Sequence, residues 1–155
     1  NTAHHYLPAI RSAVGVPFLD MVELSVAQAA RLVGDNRRVG ILASPAVRKI
    51  GLFDERLARI GIQTTYPGEE AAMLTAIRQI KTSGPGPEAF AILRAASDEL
   101  LQRGATVQMI ACTEFSLVSG APAAGATAFD TLDVLVRAIK DYTMQPLAPA
   151  DRPKN

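Results

Sequence analysis

The sequence has few of the residues that carry the commonest site chemistries. It contains one cysteine and two histidines among 155 residues, which excludes an internal disulfide and a cysteine-based metal cluster. No apolar run reaches the roughly 18 residues that a membrane-spanning helix needs. Lys and Arg form no basic run, and the net charge is +1, so a nucleic-acid groove is not indicated. We therefore expect a cytoplasmic protein without membrane or nucleic-acid partners.

Two segments have part of a known binding motif but lack the rest of it. His4 and His5 are adjacent, and no third ligand follows at a spacing that suits a metal. The segment at 84–86, Gly-Pro-Gly, lacks the lysine and the strand-to-helix context of a phosphate-binding loop. The sequence thus predicts no metal site, and it indicates a hinge or a loop over a site at residues 82–87.

Short apolar runs alternate with segments of helical periodicity along most of the chain. The clearest strand, at 38–43, is an apolar run of the kind buried on both faces of a parallel sheet. The alternation predicts an α/β fold whose open, mainly parallel sheet is flanked by helices, doubly wound and flavodoxin-like. We predict strands at 16–20, 38–43, 62–66, 107–111 and 126–129, and helices at 1–14, 22–33, 45–60, 73–80, 88–103 and 131–142.

The lone cysteine lies where the predicted strand 107–111 ends. In an open parallel sheet this end of the strands is where ligands bind. Cys112 is either a buried structural cysteine, or a thiolate that acts as a nucleophile or as a base in proton transfer. Free amides of the loop would favour the second alternative, because they lower a thiol pKa from its ordinary value of roughly 8.5. Thr113 can donate to a carboxylate ligand, and Glu114 either poises the thiol or is a solvated loop carboxylate.

A second polar group precedes the first predicted helix. The side chains of Asn1, Thr2 and His4 suit an anion at the amino end of a helix, although the local sequence favours simple helix capping over an anion site.

Two tetrapeptides together carry a family resemblance. The segments 1–4 (Asn-Thr-Ala-His) and 111–114 (Ala-Cys-Thr-Glu) resemble the aspartate/glutamate racemase family, with support from residues 17–21, 39–44 and 129–131. The resemblance covers the chain to about Tyr142. Glutamate racemases usually have His where this sequence has Glu114, which makes it more similar to the aspartate racemase branch. The resemblance implies a cofactor-independent racemase of aspartate or glutamate, in which two thiols on opposite faces exchange the α-proton.

The resemblance also predicts a domain organisation. It implies two similar α/β domains that face each other across a cleft, each with one catalytic residue, and a homodimer. The first catalytic residue, Cys or Thr, usually stands immediately before the Asn-Thr segment, so we expect this chain to follow it and to be inactive alone. We assign 1–15 to the end of the first domain, 16–125 to the second domain, 126–145 to a return strand and helix of the first, and 146–155 to a disordered tail.

The resemblance assigns roles to seven residues. Ser44 matches a family turn that usually ends in a second hydroxyl, which Val47 lacks here. Lys81 resembles a lysine that pairs with the distal carboxylate, although a lysine at a helix end is also favoured by the helix dipole. Related enzymes that racemise hydantoins or isomerise maleate, and an inactive module that binds a small acid, remain alternatives. The implied catalytic residues are Cys112 and Glu114, and the implied substrate-binding residues are Asn1, Thr2, Ser44, Lys81 and Thr113.

Overall fold

Four parallel strands form a single sheet in the computed structural model, which describes residues 4 and 6–144. The strands are β1 (Arg38–Leu42), β2 (Gln63–Thr65), β3 (Val107–Ile110) and β4 (Thr127–Asp130), and their order across the sheet is β2-β1-β3-β4. All three pairings are parallel. The helices are α1 (Leu7–Ala13), α2 (Met21–Leu32), α3 (Pro45–Lys49), α4 (Asp54–Arg59), α5 (Glu70–Ser83), α6 (Pro87–Gln102), α7 (Thr113–Ser116) and α8 (Thr131–Thr143).

Helices cover both faces of the sheet, because alternate residues of the central strands bury their side chains on opposite sides. On one face, Ile41 and Met109 pack in a cluster with side chains of α2 and α4. On the other face, Leu42 and Ile110 pack with side chains of α5, α6 and α7. β3 is therefore buried throughout and β1 from Val39 onward, which explains their continuous apolar runs. The predicted class, an α/β protein with a doubly wound parallel sheet, is confirmed.

Two local predictions are wrong. The helix predicted at 45–60 is two helices, α3 and α4, separated at Gly51, whose φ of +61° places it in the left-handed region that ends a helix. Residues 16–20 form no strand. Pro17 offers no N–H to a ladder, and the Asp20 carboxylate instead caps α2 by accepting from the backbone N–H of Val22 at 3.0 Å.

The carboxyl-terminal elements join the same sheet. β4 pairs with β3 along its whole length, and α8 packs against α2. β4, which begins the segment 126–145 that we assigned to the first domain, is thus the fourth strand of this sheet, and the division of the chain into domains stays a prediction. That residues 1–15 end a first domain stays a prediction, and the tail at 146–155 lies outside the described residues. Within residues 4 and 6–144, no helix combines the length and apolar character needed to cross a bilayer.

Candidate active site

The carboxyl edge of the sheet gathers side chains from neighbouring strands. Leu42 of β1 is in register with Ile110 of β3, and Ile110 with Asp130 of β4. The backbone N–H of Ala111 donates to the Leu42 carbonyl at 2.8 Å, which continues the pairing beyond the strand. Ser44 and Cys112 each follow two residues after a paired position. The ends of three strands therefore present their polar residues on one rim, as expected for a ligand site in a parallel sheet.

Cys112 is the residue that caps the short helix α7. Its backbone is extended, with φ of −145°, and the residue is only 8% exposed. The thiol is packed in the apolar cluster around Phe115, yet its Sγ lies 3.0 Å from Oε2 of Glu114. It is thus a buried cysteine whose surroundings are not wholly apolar. It has one polar partner at the sheet edge.

Glu114 is the centre of this site. Its Oε2 accepts from the Cys112 thiol and from the Thr113 hydroxyl, the latter at 3.3 Å. Its Oε1 lies 3.3 Å from the ammonium nitrogen of Lys81, in the last turn of α5. Glu114 therefore contacts three other residues that the sequence singled out. The solvated alternative for Glu114 is wrong, since its side chain is 20% exposed.

The thiol is protonated in this arrangement. Burial, the hydrogen bond to Glu114 and the charge of that carboxylate raise the pKa of Cys112 to about 12. The nearby backbone N–H groups of Glu114 and Phe115 lower this pKa, but by less than the other causes raise it. The expectation that loop amides would lower this pKa is therefore wrong in its net sign. At pH 7 a pKa of about 12 leaves a thiolate fraction on the order of 10⁻⁵.

Glu114 carries the opposite shift. Burial acts to raise its pKa, but the hydrogen bonds from the Cys112 thiol and from the backbone, together with the Lys81 ammonium, outweigh burial and lower it. The carboxylate is ionised at neutral pH and can only accept hydrogen bonds. The proton between the two groups therefore resides on sulfur.

Asp130 is a buried acid that entered the sequence prediction only within the segment 129–131, as support for the family resemblance. It is 5% exposed, and its Oδ1 accepts from the Leu132 backbone N–H at 2.8 Å. Burial raises the pKa of Asp130, against hydrogen bonds from Ser116 and from the Leu132 N–H. The hydroxyl of Ser116 also lies 3.5 Å from the Cys112 carbonyl. Through its hydrogen bond with Ser116, Asp130 thus helps to hold α7 in place. Its position at the end of a strand could have suggested this role.

Ser44 lies on the same rim but outside the cluster of Lys81, Thr113, Glu114 and Cys112. It caps α3 without a side-chain hydrogen bond to that helix, and it lines a cleft together with Arg48 and Tyr66. The Tyr66 hydroxyl donates to Oδ2 of Asp54 at 2.7 Å. Asn1 and Thr2 lie outside the described residues.

Comparison with known proteins identifies the family. A family model described as Asp/Glu/Hydantoin racemase matches residues 1–139. Because this match covers most of the chain, the chain belongs to the Asp/Glu/hydantoin racemase family, and the predicted resemblance is confirmed.

Solved structures share the fold. A candidate Asp/Glu racemase from Yersinia pestis aligns with a TM-score of 0.78 at 23% identity, over 94% of this chain and 64% of its own. Picrophilus torridus aspartate racemase aligns with a TM-score of 0.78 at 17% sequence identity, over 96% of this chain and 61% of its own. An aspartate racemase homologue from Pyrococcus horikoshii OT3 aligns with a TM-score of 0.73 at 18% sequence identity, over 94% of this chain and 64% of its own. At these identities the likeness shows the fold alone, and the chain spans less than two thirds of the length of these relatives.

Proposed function

We propose that the chain forms part of a cofactor-independent amino-acid racemase that acts on aspartate or glutamate, with Cys112 as a proton carrier at the α-carbon. The observation that supports this most directly is the thiol of Cys112, 3.0 Å from a carboxylate that Lys81 holds ionised. A thiol with a defined polar partner at the sheet edge where ligands of parallel sheets bind supports this role. The family match adds the reaction class.

The raised thiol pKa suits the chemistry in both directions. An amino-acid α-proton is very weakly acidic, so a thiolate whose conjugate acid has a pKa of about 12 is a stronger base than an ordinary thiolate. In one direction the S–H bond breaks as the new C–H bond forms, which leaves a Cys112 thiolate. In the other direction this thiolate takes the α-proton and the thiol is restored. Inversion needs a second group on the opposite face, because a single base would return the proton to its own side.

Substrate binding falls to the residues around the thiol. The hydroxyl of Thr113 is exposed at the rim, and on substrate binding it would exchange its hydrogen bond to Glu114 for one to a substrate carboxylate. The resemblance adds Asn1 and Thr2 as further donors and Ser44 at the next strand end. Desolvation of a small dicarboxylate in such a site would strengthen these hydrogen bonds as the carbanion develops. A cytoplasmic homodimer is part of the same proposal, supported by the family resemblance alone.

A hydantoin racemase is the second candidate. The family description includes hydantoin racemases, and the Lys81 ammonium is engaged by Glu114 rather than left for a distal carboxylate. A hydantoin ring has no such carboxylate, so it would not compete with Glu114 for the lysine.

The test is exchange of the α-proton in D₂O by the intact protein, followed by mass spectrometry and chiral chromatography. Both enantiomers of aspartate and glutamate are compared with a 5-substituted hydantoin. We expect exchange and racemisation of one dicarboxylic amino acid, and their loss by about 10³-fold or more in Cys112→Ala, since a proton carrier is removed. Exchange of the hydantoin alone would establish the second candidate. Unchanged exchange in Cys112→Ala, with circular dichroism like that of the wild type, would contradict both.

A further inference from the structure

The candidate site stands on a helix that is too short to hold its own shape. α7 is a single turn of four residues, with Cys112 as its amino-terminal cap and Glu114 within it. The backbone N–H groups of Glu114 and Phe115 lie close enough to the Cys112 sulfur to affect its pKa. An isolated turn is unfavourable, because many dihedral angles are fixed for one hydrogen bond. Contacts outside α7 must therefore keep this turn, and with it the sulfur, in place.

Two side chains fasten the carboxyl end of the turn. Phe115 is fully buried in an apolar cluster with side chains of α5 and α6. The hydroxyl of Ser116 forms a hydrogen bond with the Asp130 carboxylate, and it lies 3.5 Å from the carbonyl oxygen of Cys112. That carbonyl also accepts from the Ser116 backbone N–H at 3.2 Å. Apolar packing is not directional, so the hydrogen bond with Asp130, rather than Phe115, sets how the turn is rotated.

Asp130 is itself firmly held. It ends β4, in register with Ile110 of β3, two residues before Cys112. Its Oδ1 accepts from the Leu132 backbone N–H at 2.8 Å and so caps α8, and the residue is 5% exposed. A carboxylate has two oxygens, so Asp130 can cap α8 and accept from Ser116 at the same time. It therefore ties α7 to the neighbouring strand and to the helix that follows.

We propose that Asp130 is a positioning residue for the Cys112 thiol, which it holds in place through Ser116 and the turn of α7. The inference rests on the proposed function for its meaning in catalysis, and on the contacts of Asp130 for the geometry. A proton carrier must lie within hydrogen-bond reach of the proton that it moves, and a displacement of about 1 Å can cost about 100-fold in rate. The role needs no proton transfer by Asp130 itself.

The pH profile of alkylation by iodoacetamide, recorded on the intact protein, tests this inference. In Asp130→Ala the turn loses its fixed point, so the sulfur moves away from its buried place and from the Glu114 carboxylate. Because burial and this carboxylate raise the thiol pKa, the pKa should fall. The rate at pH 8 should then rise by about tenfold, the change that one pKa unit produces.

Ser116→Ala gives a second, milder test of the same contact. It should shift the profile in the same direction, and the double variant should shift it no further than Asp130→Ala, since both substitutions remove one interaction. A wild-type profile in both single variants would overturn the inference.

Asp130→Asn separates position from charge. Its amide oxygen can still cap α8 and its amide nitrogen can still donate to the Ser116 hydroxyl, so the profile should remain that of the wild type. A profile like that of Asp130→Ala would show that the charge of Asp130 matters and not its hold on the turn, which contradicts the proposal.

Asp20→Ala is the matched control for stability. Asp20 is 9% exposed and caps α2 in the same way, by accepting from the Val22 backbone N–H. Its loss should lower the melting temperature about as much as Asp130→Ala does, because each removes a helix cap, yet leave the alkylation profile unchanged. An equal shift of the profile in Asp20→Ala would mean that any loss of stability frees the thiol, and the inference would fall.

Activity of the intact protein keeps this inference apart from the proposed function. The kcat for α-proton exchange should fall by about tenfold to 100-fold in Asp130→Ala and stay near the wild-type value in Asp130→Asn. Profiles that shift as expected, in a protein that exchanges no α-proton of aspartate or glutamate, would refute the proposed function and keep the inference. Exchange at the wild-type rate in Asp130→Ala, with an unmoved profile, would refute the inference and keep the proposed function.

Discussion

At the scale of single residues, the behaviour of Cys112 is set by the carboxylate two positions after it. The thiol donates to Glu114, and Glu114 stays ionised because Lys81 and backbone N–H groups support its charge. The Glu114 carboxylate opposes ionisation of the thiol in two ways. It accepts a hydrogen bond from the protonated thiol, and its negative charge raises the free energy of a nearby thiolate. Glu114 therefore keeps the resting thiol in the form that donates a proton.

The substitution Glu114→Gln tests this control of the thiol. The amide keeps a similar shape and removes the negative charge, so the thiol pKa should fall below about 12, towards that of an ordinary thiol. The alkylation rate with iodoacetamide between pH 7 and 11 reports the thiolate. We expect this rate at pH 8 to rise by about tenfold, the change that one pKa unit produces. The control Glu88→Gln, an exposed acid in the first turn of α6, should leave the profile unchanged.

An alkylation profile that Glu114→Gln does not move would show that burial alone raises the thiol pKa. Burial is the largest cause of the shift and is retained in the variant, so part of the shift should persist in either case.

At the scale of secondary structure, the sequence correctly predicted those elements whose apolar pattern follows from burial alone. The runs at β1 and β3 predict strands because both faces of these strands are covered. The same logic failed at α3 and α4. Ile50, Phe53, Leu57 and Ile60 follow helical spacing across the break at Gly51, because periodicity reports which side chains face the core and not whether backbone hydrogen bonds continue.

The candidate site shows the same limit. Cys112, Thr113 and Glu114 adjoin in sequence at a strand end, so their contact was predictable from the strand and the turn. The contact of Arg48 with Glu70 joins residues 22 positions apart, and it depends on how α3 and α5 are placed over the sheet. Side-chain direction across such a distance is not encoded in a local pattern. The cleft beside Ser44 could therefore be found only in the structure.

The glycine of β1 shows how closely α6 packs on the sheet. A Cβ at Gly40 would lie 2.8 Å from Cδ1 of Leu100, and 3.3 Å from side-chain atoms of Ala105 and Gln108. All three neighbours are fully buried, so Gly40→Ala must push α6 outward or force a strained rotamer. We expect a loss of about 1–3 kcal/mol in the free energy of unfolding, as overpacking of a core typically costs, measured by urea denaturation.

Gly34→Ala is the matched control for this prediction. A Cβ there meets nothing within 4 Å, and the backbone needs no left-handed conformation. Its effect should be within about 0.5 kcal/mol of zero, as for most surface substitutions. An equal effect of the two alanines would mean that the close approach of α6 to β1 does not hold in solution.

At the scale of the whole molecule, one buried polar network ties α6, β3 and the segment before β4 together. The Ser97 hydroxyl donates to Oε1 of Gln108 at 2.6 Å and accepts from the backbone N–H of Ala123 at 2.8 Å. Nε2 of Gln108 donates to the carbonyls of Ser97 and Ala105. The segment that carries Ala123 leads from α7 to β4. The hydrogen bond between Ala123 and Ser97 therefore also holds the chain between Cys112 and Asp130 at the sheet edge.

Ser97→Ala should loosen this anchor and destabilise the whole fold. The variant leaves the Ala123 N–H without its acceptor and Gln108 Oε1 without its donor, in a place where both residues are buried. An unsatisfied buried group costs about 1–3 kcal/mol, so we expect a loss of that order or somewhat more in the free energy of unfolding. Ser83→Ala, an exposed serine at the end of α5, is the control. Hydrogen exchange gives the local readout, because the Ala123 amide should exchange much faster in Ser97→Ala while the amides of β1 follow only the global change in stability. If the Ala123 amide exchanges as slowly as in the wild type, the serine does not fasten this segment, and the geometry around Cys112 depends on the sheet and on Asp130 alone.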